Sequence, residues 1–419
     1  MVVIISKFLI SIFGLLTGYI LLKNKKFRDF ELSQFIIYGF LTRWVILSFW
    51  FFFSEGRVSG DIYGYELHVS WVLEGRVPNR DFSTPYGFYF NYLLSIPYYL
   101  FKSPIAIMFI AQLFELLGFC LFFFSIKKLL SINRAKLFAL LYITNPLVIG
   151  WLAFDGQDEA LMIFAFGGIF YAISHSNRLL NSFFSSFSLF VVKITALAAV
   201  FPVIMVSNRK EILHIILFVF IFLLTPLILN SKVFGFGFEW KSGVDDLTEY
   251  FFPGNIWFLI DKFSQNKNLL TYSRYLTLLL FLIISLFLFK FRNSISKPIF
   301  ISFGVCLFTF SFQIGSSYVS PGFIATVIPF LIFLFLINKI LYDKHIYFFN
   351  FYSLFIAFDL AIYLIWDKHY QDVFSEHLFY LIFYPYEILI ISMNIFIYFI
   401  LIKYFLKITD KNISIKLNY

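Results

Sequence analysis

The stretch "VVIISKFLISIFGLLTGYILLKNKKFR" (2–28) decides the class of fold. It is an apolar run followed directly by a basic cluster, and apolar runs of about 18 or more residues, each able to cross a hydrocarbon core of about 30 Å, recur along the chain. The 419 residues are 60% hydrophobic and 14% charged, with a mean hydropathy of +0.84, whereas soluble domains carry about 25% charged residues. Because lipid offers no partner to unpaired backbone groups, the sequence predicts an all-α fold, a polytopic transmembrane helical bundle.

The net charge of +9 is explained by membrane orientation rather than by nucleic-acid binding. Most Lys and Arg residues lie in short loops between apolar runs, where they favour the cytoplasmic side. The basic cluster at 23–28 therefore predicts a cytoplasmic loop and an external N-terminus. A signal peptide would carry its basic residues in front, so we expect a retained first helix. Cys120 and Cys306 both lie in predicted spans and indicate neither a disulfide nor a metal site.

The apolar runs together predict about eleven crossings in a single transmembrane domain that covers residues 1–419. The spans predicted after the first one are 35–53, 104–126, 135–153, 158–174, 211–230, 271–289, 298–316, 321–338, 346–366 and 377–402. This topology has a first external loop at 54–101 and a second large external loop at 231–270, and it puts the C-terminus in the cytoplasm. The apolar piece 86–101 is short and contains Pro97, so it predicts an interfacial or re-entrant helix.

The apolar segment 183–206 allows two topologies. Basic residues lie on both sides of it, Arg178 before and Arg209 with Lys210 after. Two half-helices that enter and return satisfy the charge rule with Lys193 near the tip, whereas a single span breaks that rule. We therefore favour the re-entrant pair. Lys193 is the only ionisable residue of this stretch, and an intramembrane charge is by default a candidate site.

Polar residues that do not serve as orientation signals collect on the predicted external side. They are Asp61, Glu66, His68, Glu74, Arg76, Arg80 and Asp81 in the first loop, Asp155, Gln157, Asp158 and Glu159 in the next turn, and Glu239, Asp245, Asp246 and Glu249 in the loop 231–270. Structural roles are open for several of them. Asp61 and Asp158 could cap helices, and Lys193 could extend its ammonium group to the membrane interface.

The order of the motifs resembles the GT-C superfamily of polytopic glycosyltransferases, which use polyprenyl-phosphate-linked sugars. The resemblance is to the mannosyltransferase branch that includes the GPI first-mannose enzymes and their prokaryotic relatives. The first-loop pattern is matched by Asp61, Gly75, Pro78, Asp81 and Phe82, and Asn79 departs from the usual tyrosine. Later segments similar to the family's are "NPLVIGWLAFDGQDEALM" (145–162), "LFVVKITALAAVFP" (189–202) and "SSYVSPGFIATVIPFL" (316–331).

The resemblance implies a GT-C-like fold and transfer of a hexose, most commonly mannose, from a polyprenyl-phosphate donor to a lipid or glycan acceptor. Asp61 is the candidate general base, since an inverting displacement needs one carboxylate. Lys193 and Arg80 are candidates to balance the departing phosphate, with Arg57 and Arg76 as alternatives. Gln157 and Asp158 are candidates to orient sugar hydroxyls. Asp81, Tyr63 and Tyr86 complete the list of candidate substrate contacts.

No cofactor follows from these residues. Many family members have a D-x-D in the first loop, but Ser59 stands at its first position here, which disfavours a metal held by paired carboxylates. The expected partners are the lipid-linked donor, the acceptor and membrane lipids, without nucleic acid. The abundance of Phe, Ile and Lys indicates a low-GC genome, and the absence of extra lumenal loops favours a prokaryotic plasma membrane.

Two other functions fit a chain of this kind. A transporter or lipid-linked sugar flippase also has many spans, broken helices and a lysine near the midplane. A surface-polysaccharide polymerase or ligase also has an external active loop, although we would expect arginine and histidine in it, and the loop 231–270 has neither.

Overall fold

The computed structural model describes residues 2–54, 60–232, 254–264, 268–316, 321–337, 349–350, 352–358 and 376–410. Within these ranges the chain forms helices and no β-strand, which confirms the predicted all-α bundle. Most of the second predicted external loop, together with Arg57 and Ser59 of the first, lies outside the described residues.

The longer helices are labelled in chain order. They are α1 (Val2–Lys23), α2 (Leu32–Ser54), α3 (Gly60–Leu73), α4 (Phe90–Phe101), α5 (Pro104–Leu129), α6 (Ile132–Ile143), α7 (Glu159–Ser174), α8 (Arg178–Phe187), α9 (Leu197–Val206), α10 (Arg209–Ile228), α11 (Ile256–Ser264), α12 (Leu269–Phe291), α13 (Lys297–Gly315), α14 (Pro321–Ile337) and α15 (Glu376–Asp410). A helical segment at 352–358 precedes α15.

Seven of the described helices are long and apolar enough to cross a membrane by length and composition. They are α1, α2, α5, α10, α12, α13 and α15. Shorter apolar helices include α7, α8 with its continuation to Val192, α9 and α14. The total of about eleven crossings stays a prediction, because several of the predicted spans correspond to these shorter helices.

The predicted span 135–153 consists of two helical segments and is not one continuous α-helix. α6 ends at Ile143, and a π-helical segment follows at Val148–Ala153. The break falls at Asn145 and Pro146, because proline has no N–H to donate and a helix usually ends before it. The Asn145 side chain accepts hydrogen bonds from the backbone N–H groups of Leu147 (2.9 Å) and Val148 (3.2 Å), which satisfies donors that the break exposes.

Residues 178–206 form the two half-helices that the charge pattern favours. α8 continues as a π-helix through Ser188–Val192, Lys193 is extended, and a 3₁₀ turn at Ile194–Ala196 leads into α9. Arg178 at the start of α8 and Ser207 just after α9 line the same pocket, so the chain leaves this end of the bundle and returns to it. Lys193 lies at the turning point.

The predicted loop helices of residues 60–101 cover the end of the bundle at which Lys193 lies. In α3, Ile62, Tyr65, Val69 and Val72 are buried at helical spacing, as their pattern predicts. α4 has 12 residues, too few to span a bilayer, which agrees with the predicted interfacial or re-entrant helix. We call this the site end of the bundle, and the end with Arg178 the opposite end.

Candidate functional site

The turn 154–158 forms the floor of the site and is held from several sides. The indole N–H of Trp50 on α2 donates to the carbonyl of Phe154 (3.0 Å), and the amide of Gln112 on α5 donates to the carbonyl of Ala153 (2.9 Å). Gly156 has φ of 64°, a left-handed conformation that other residues adopt at a cost. Fixing this turn fixes the directions of the acidic side chains that follow it.

Lys193 pairs with two carboxylates that start α7. Its Nζ lies 2.7 Å from Asp158 Oδ2 and 2.7 Å from Glu159 Oε1. The Asp158 and Glu159 side chains are 4% and 2% exposed, and that of Lys193 is 15% exposed. A charge buried to this degree needs a partner, because removing an unpaired ion from water costs several kcal/mol. The three side chains therefore form one unit, the acidic–lysine cluster.

Tyr65 connects this cluster to the first loop. Its hydroxyl donates to Asp158 Oδ1 (3.1 Å) and accepts from the backbone N–H of Asp158 (3.2 Å). Asp158 is at the N-cap position of α7, but its side chain makes no capping hydrogen bond. The alternative that Asp158 serves as a helix cap, which the sequence left open, is therefore wrong, because the carboxylate is turned toward Tyr65 and Lys193 instead.

Asp61 lies beside the cluster at the start of α3. Its carboxylate forms a hydrogen bond with Gln157 and interacts electrostatically with Asp158 and Lys193. The residue keeps an exposed surface, yet desolvation by the surrounding protein raises its pKa above the ordinary aspartate value. The Gln157 hydrogen bond and Lys193 lower that pKa, while Asp158 raises it further. A carboxylate whose pKa is raised, on a residue that keeps some exposed surface, has the chemistry of a general base.

The backbone of residues 87–89 holds the turning point that carries Lys193. The N–H of Gly87 donates to the carbonyl of Val192 (2.9 Å), and that of Tyr89 donates to the carbonyl of Phe190 (3.3 Å). A Cβ at position 87 would overlap the Phe190 carbonyl, so the close approach depends on glycine. The aromatic segment after Asp81 therefore contributes main-chain positioning to the site.

The start of α14 closes the other side of the cluster. Gly322 packs directly against the Glu159 carboxyl group, and the ring of Phe323 lies 5.5 Å from Lys193 Nζ, within range of a cation–π interaction. These residues belong to the segment 316–331 that resembles a late family motif. Residues from four distant parts of the chain thus meet here.

An apolar cavity of about 190 Å³ adjoins the cluster. Its walls come from α7, the α9 region, α12, α13 and α14, and include Met162, Thr195, Phe281, Phe308, Phe312 and Phe323. Phe323 contacts both this cavity and Lys193, so the apolar space begins where the charged groups end.

The other predicted site residues form contacts of their own. Arg80 donates two hydrogen bonds to Asp81 (2.9 and 2.8 Å) and one to the Leu229 carbonyl (3.1 Å). The Arg80 guanidinium lowers the pKa of Asp81 to about 2. Tyr63 is 59% exposed. The ring of Tyr86 packs against the ring of Tyr65, with 5.3 Å between their centroids, and Tyr65 in turn binds Asp158.

Charge balance limits what the cluster can bind. With Asp61, Asp158 and Glu159 ionised, the single ammonium of Lys193 leaves an excess of negative charge, so an approaching phosphate must compete for Lys193 with carboxylates already bound to it. Among the described residues, no group of three or more His, Cys, Asp and Glu side chains is arranged to hold a metal ion.

Three contributions to the site were not predicted from the sequence. Glu159 belongs to the acidic–lysine cluster, and Tyr65 forms hydrogen bonds with it. The signal available for Tyr65 was its position on a helix four residues after Asp61. Lys7 of α1 forms an ion pair of 2.6 Å with Asp155 and is 3% exposed. No local pattern links residues so far apart in the chain.

No known protein family model matches this chain. A search of curated proteins likewise gives no match. The resemblance to GT-C glycosyltransferases therefore depends on the short motifs and their order, and function has to be argued from the site itself.

Proposed function

We propose that this protein is a membrane glycosyltransferase that moves a hexose from a polyprenyl-phosphate sugar to a lipid or glycan acceptor. The observation that supports this best is the position of the Asp61 carboxylate beside a buried acidic–lysine cluster, which itself adjoins an apolar cavity at Phe323. Such a donor has a sugar phosphate at one end and an insoluble chain at the other. A polar cluster directly beside an apolar space suits both parts.

In the proposed reaction, the acceptor hydroxyl oxygen attacks the anomeric carbon as the bond from that carbon to the phosphate oxygen breaks. Asp61 takes the hydroxyl proton, and the polyprenyl phosphate departs with the bonding electron pair, inverting the anomeric centre. Phosphate is a good leaving group, so a second carboxylic acid is not required. The raised pKa of Asp61 strengthens it as a base.

In this mechanism Lys193 stabilises the departing phosphate, for which it must exchange part of its contact with Asp158 or Glu159. Gln157 and Asp158 are proposed to bind sugar hydroxyls, with Tyr63 and Tyr86 as aromatic contacts. The apolar cavity is proposed to hold the first isoprene units of the donor. Arg80 and Asp81 act from outside this cluster, in a position to meet the acceptor or the lipid headgroups.

The test is sugar transfer by the purified chain in lipid, with radiolabelled polyprenyl-phosphate mannose and glucose and a crude lipid and glycan acceptor extract. Asp61→Asn should abolish transfer while donor binding persists. The matched control is Asp29→Asn, an exposed aspartate far from the site in sequence, which should keep full activity. If both variants transfer the sugar, the protein is an enzyme but Asp61 is not its general base.

A donor-affinity series tests the role of Lys193 separately. Lys193→Gln should weaken donor binding, whereas Glu159→Gln should strengthen it, because removing a competing carboxylate frees the ammonium group for phosphate. Unchanged donor affinity in both variants would exclude Lys193 as a phosphate ligand.

The broken helix at Lys193 favours one second candidate, a transporter or flippase. Discontinuous helices with an ionisable residue at the break are typical substrate or proton sites in transporters. Proteoliposomes loaded with a fluorescent polyprenyl-phosphate sugar distinguish the two functions. Movement of the lipid between leaflets without glycoside formation would favour the flippase.

A further inference from the structure

A second pocket lies at the opposite end of the bundle, far along α8 from Lys193. Its volume is about 210 Å³, and it is bounded by the starts of α8, α10 and α13 and by the end of α9. The polar residues lining it include Asn177, Arg178, Asn181, Asn208, Glu211 and Lys297. None of these belongs to the candidate glycosyltransferase site.

Two basic side chains enter this pocket and share one carboxylate. Lys297 Nζ lies 3.0 Å from Glu211 Oε2, and Arg178 Nε lies 3.8 Å from Glu211 Oε1. The Lys297 and Arg178 side chains are 46% and 49% exposed, whereas that of Glu211 is 10% exposed. Both cations therefore keep donor groups that face the pocket, and Glu211 neutralises only one of the two charges.

Three helices begin at this pocket. The Asn177 side chain caps α8 by accepting from the Leu180 N–H (3.1 Å), and Asn208 caps α10 by accepting from the Glu211 N–H (3.0 Å). α13 begins with Lys297 and has no side-chain cap. Each helix N-terminus carries a partial positive charge of about half an electron charge. Their sum with the two basic side chains outweighs the single carboxylate of Glu211.

Asn181 supplies a polar group that has no protein partner. The residue is 5% exposed and lines the pocket, and its Oδ1 atom forms no hydrogen bond within the described part of the chain. A buried amide oxygen without a hydrogen bond costs about 1–3 kcal/mol. Rotation of the Asn181 amide toward the pocket would let a bound hydroxyl or protonated phosphate oxygen satisfy it.

We propose that this pocket binds a phosphate group, carried by an anionic lipid headgroup or free in solution. A positive potential, two directional donors and a half-open cavity are what phosphate binding requires. A cation would meet Arg178, Lys297 and three helix N-termini, and a purely apolar ligand would leave Asn181 unsatisfied. The proposal is independent of the glycosyltransferase proposal, since the pocket shares no residue with that site.

The experiment uses the full chain purified without phosphate. Binding of radiolabelled inorganic phosphate is measured in phosphatidylcholine nanodiscs, and retention of phosphatidylglycerol is measured by native mass spectrometry in mixed nanodiscs at matched ionic strength. Arg178→Gln with Lys297→Gln should weaken binding at least about tenfold. Glu211→Gln should tighten it by about fivefold, because the opposing charge is lost while the capping interaction with Asn208 can persist.

The control is Lys127→Gln with Lys128→Gln, an exposed basic pair in the last turn of α5, which should leave specific binding unchanged. Binding of inorganic phosphate in phosphatidylcholine identifies a free-phosphate site, and binding of phosphatidylglycerol alone identifies a headgroup site; either supports the proposal. It is overturned if neither ligand binds, or if Glu211→Gln binds no more tightly than the unmodified chain. Glu211→Gln keeps the test decisive even where the double variant fails to fold.

Discussion

Replacing Lys193 by glutamine would leave Asp158 and Glu159 buried without their cation. Their side chains are 4% and 2% exposed, so water cannot take over the role of the ammonium group. Removing one partner of a buried ion pair typically costs about 3–5 kcal/mol, because an uncompensated buried charge remains. We expect Lys193→Gln to lose stability in that range at neutral pH.

The assay is reversible unfolding in mixed micelles, followed by tryptophan fluorescence and circular dichroism. Lys136→Gln is the control, since Lys136 is a half-buried lysine whose ammonium group donates a hydrogen bond of 2.6 Å to the Arg28 carbonyl near the surface. Its loss should cost at most about 1 kcal/mol. The triple variant with Asp158→Asn, Glu159→Gln and Lys193→Gln should recover most of the lost stability, because no buried charge remains.

The effect of pH provides a second check on the same reasoning. As pH falls, Glu159 becomes protonated, so the stability gap between Lys193→Gln and the unmodified chain should narrow. A loss below about 1 kcal/mol at neutral pH, or a gap that does not change with pH, would refute the assignment of a closed ion-paired cluster.

Four further results are expected. The acidic limb of the kcat/KM profile for sugar transfer should lie above the ordinary aspartate pKa of about 4, because burial raises the pKa of Asp61. For the same reason Asp61→Asn should be more stable than the unmodified chain at neutral pH. This gain in stability should vanish below the ordinary aspartate pKa, where Asp61 is protonated in both the folded and the unfolded chain. Arg43→Met should cost about 3–5 kcal/mol, and adding Glu115→Leu should restore stability, since the pair (3.0 Å) is buried on both sides. Gly87→Ala should reduce transfer by displacing Phe190, measured against unchanged protein yield.

The sequence predicted those features that depend on local pattern. Charge placement indicated the half-helix pair around Lys193, and apolar spacing indicated the buried face of α3 with Ile62 and Val69. The position of Asp61 next to Gln157 followed from placing both segments at one end of the bundle. Each of these features depends either on residues that are close together in the sequence or on the rule that basic residues favour the cytoplasmic side of the membrane.

The pairing of individual charges could not be predicted in the same way. Lys193 looked available for a ligand, but two carboxylates occupy it, because α7 presents Asp158 and Glu159 together at its first turn. The ion pair of Arg43 with Glu115 joins α2 and α5 inside apolar runs, where hydropathy averages hide single charges. Arg80 formed its contact with its neighbour Asp81 instead of reaching the cluster.

The ion pair between Lys7 and Asp155 also has a consequence for the order of biosynthesis. Lys7 leaves the ribosome 148 residues before Asp155. Its ammonium group is buried in the folded protein, so it must stay hydrated until the turn 154–158 has been synthesised. Insertion of α1 and arrival of the turn 154–158 are therefore coupled steps of assembly. A bulky fusion close to residue 7 should slow maturation of the site end of the bundle, although residue 7 lies in a different helix from every proposed catalytic group.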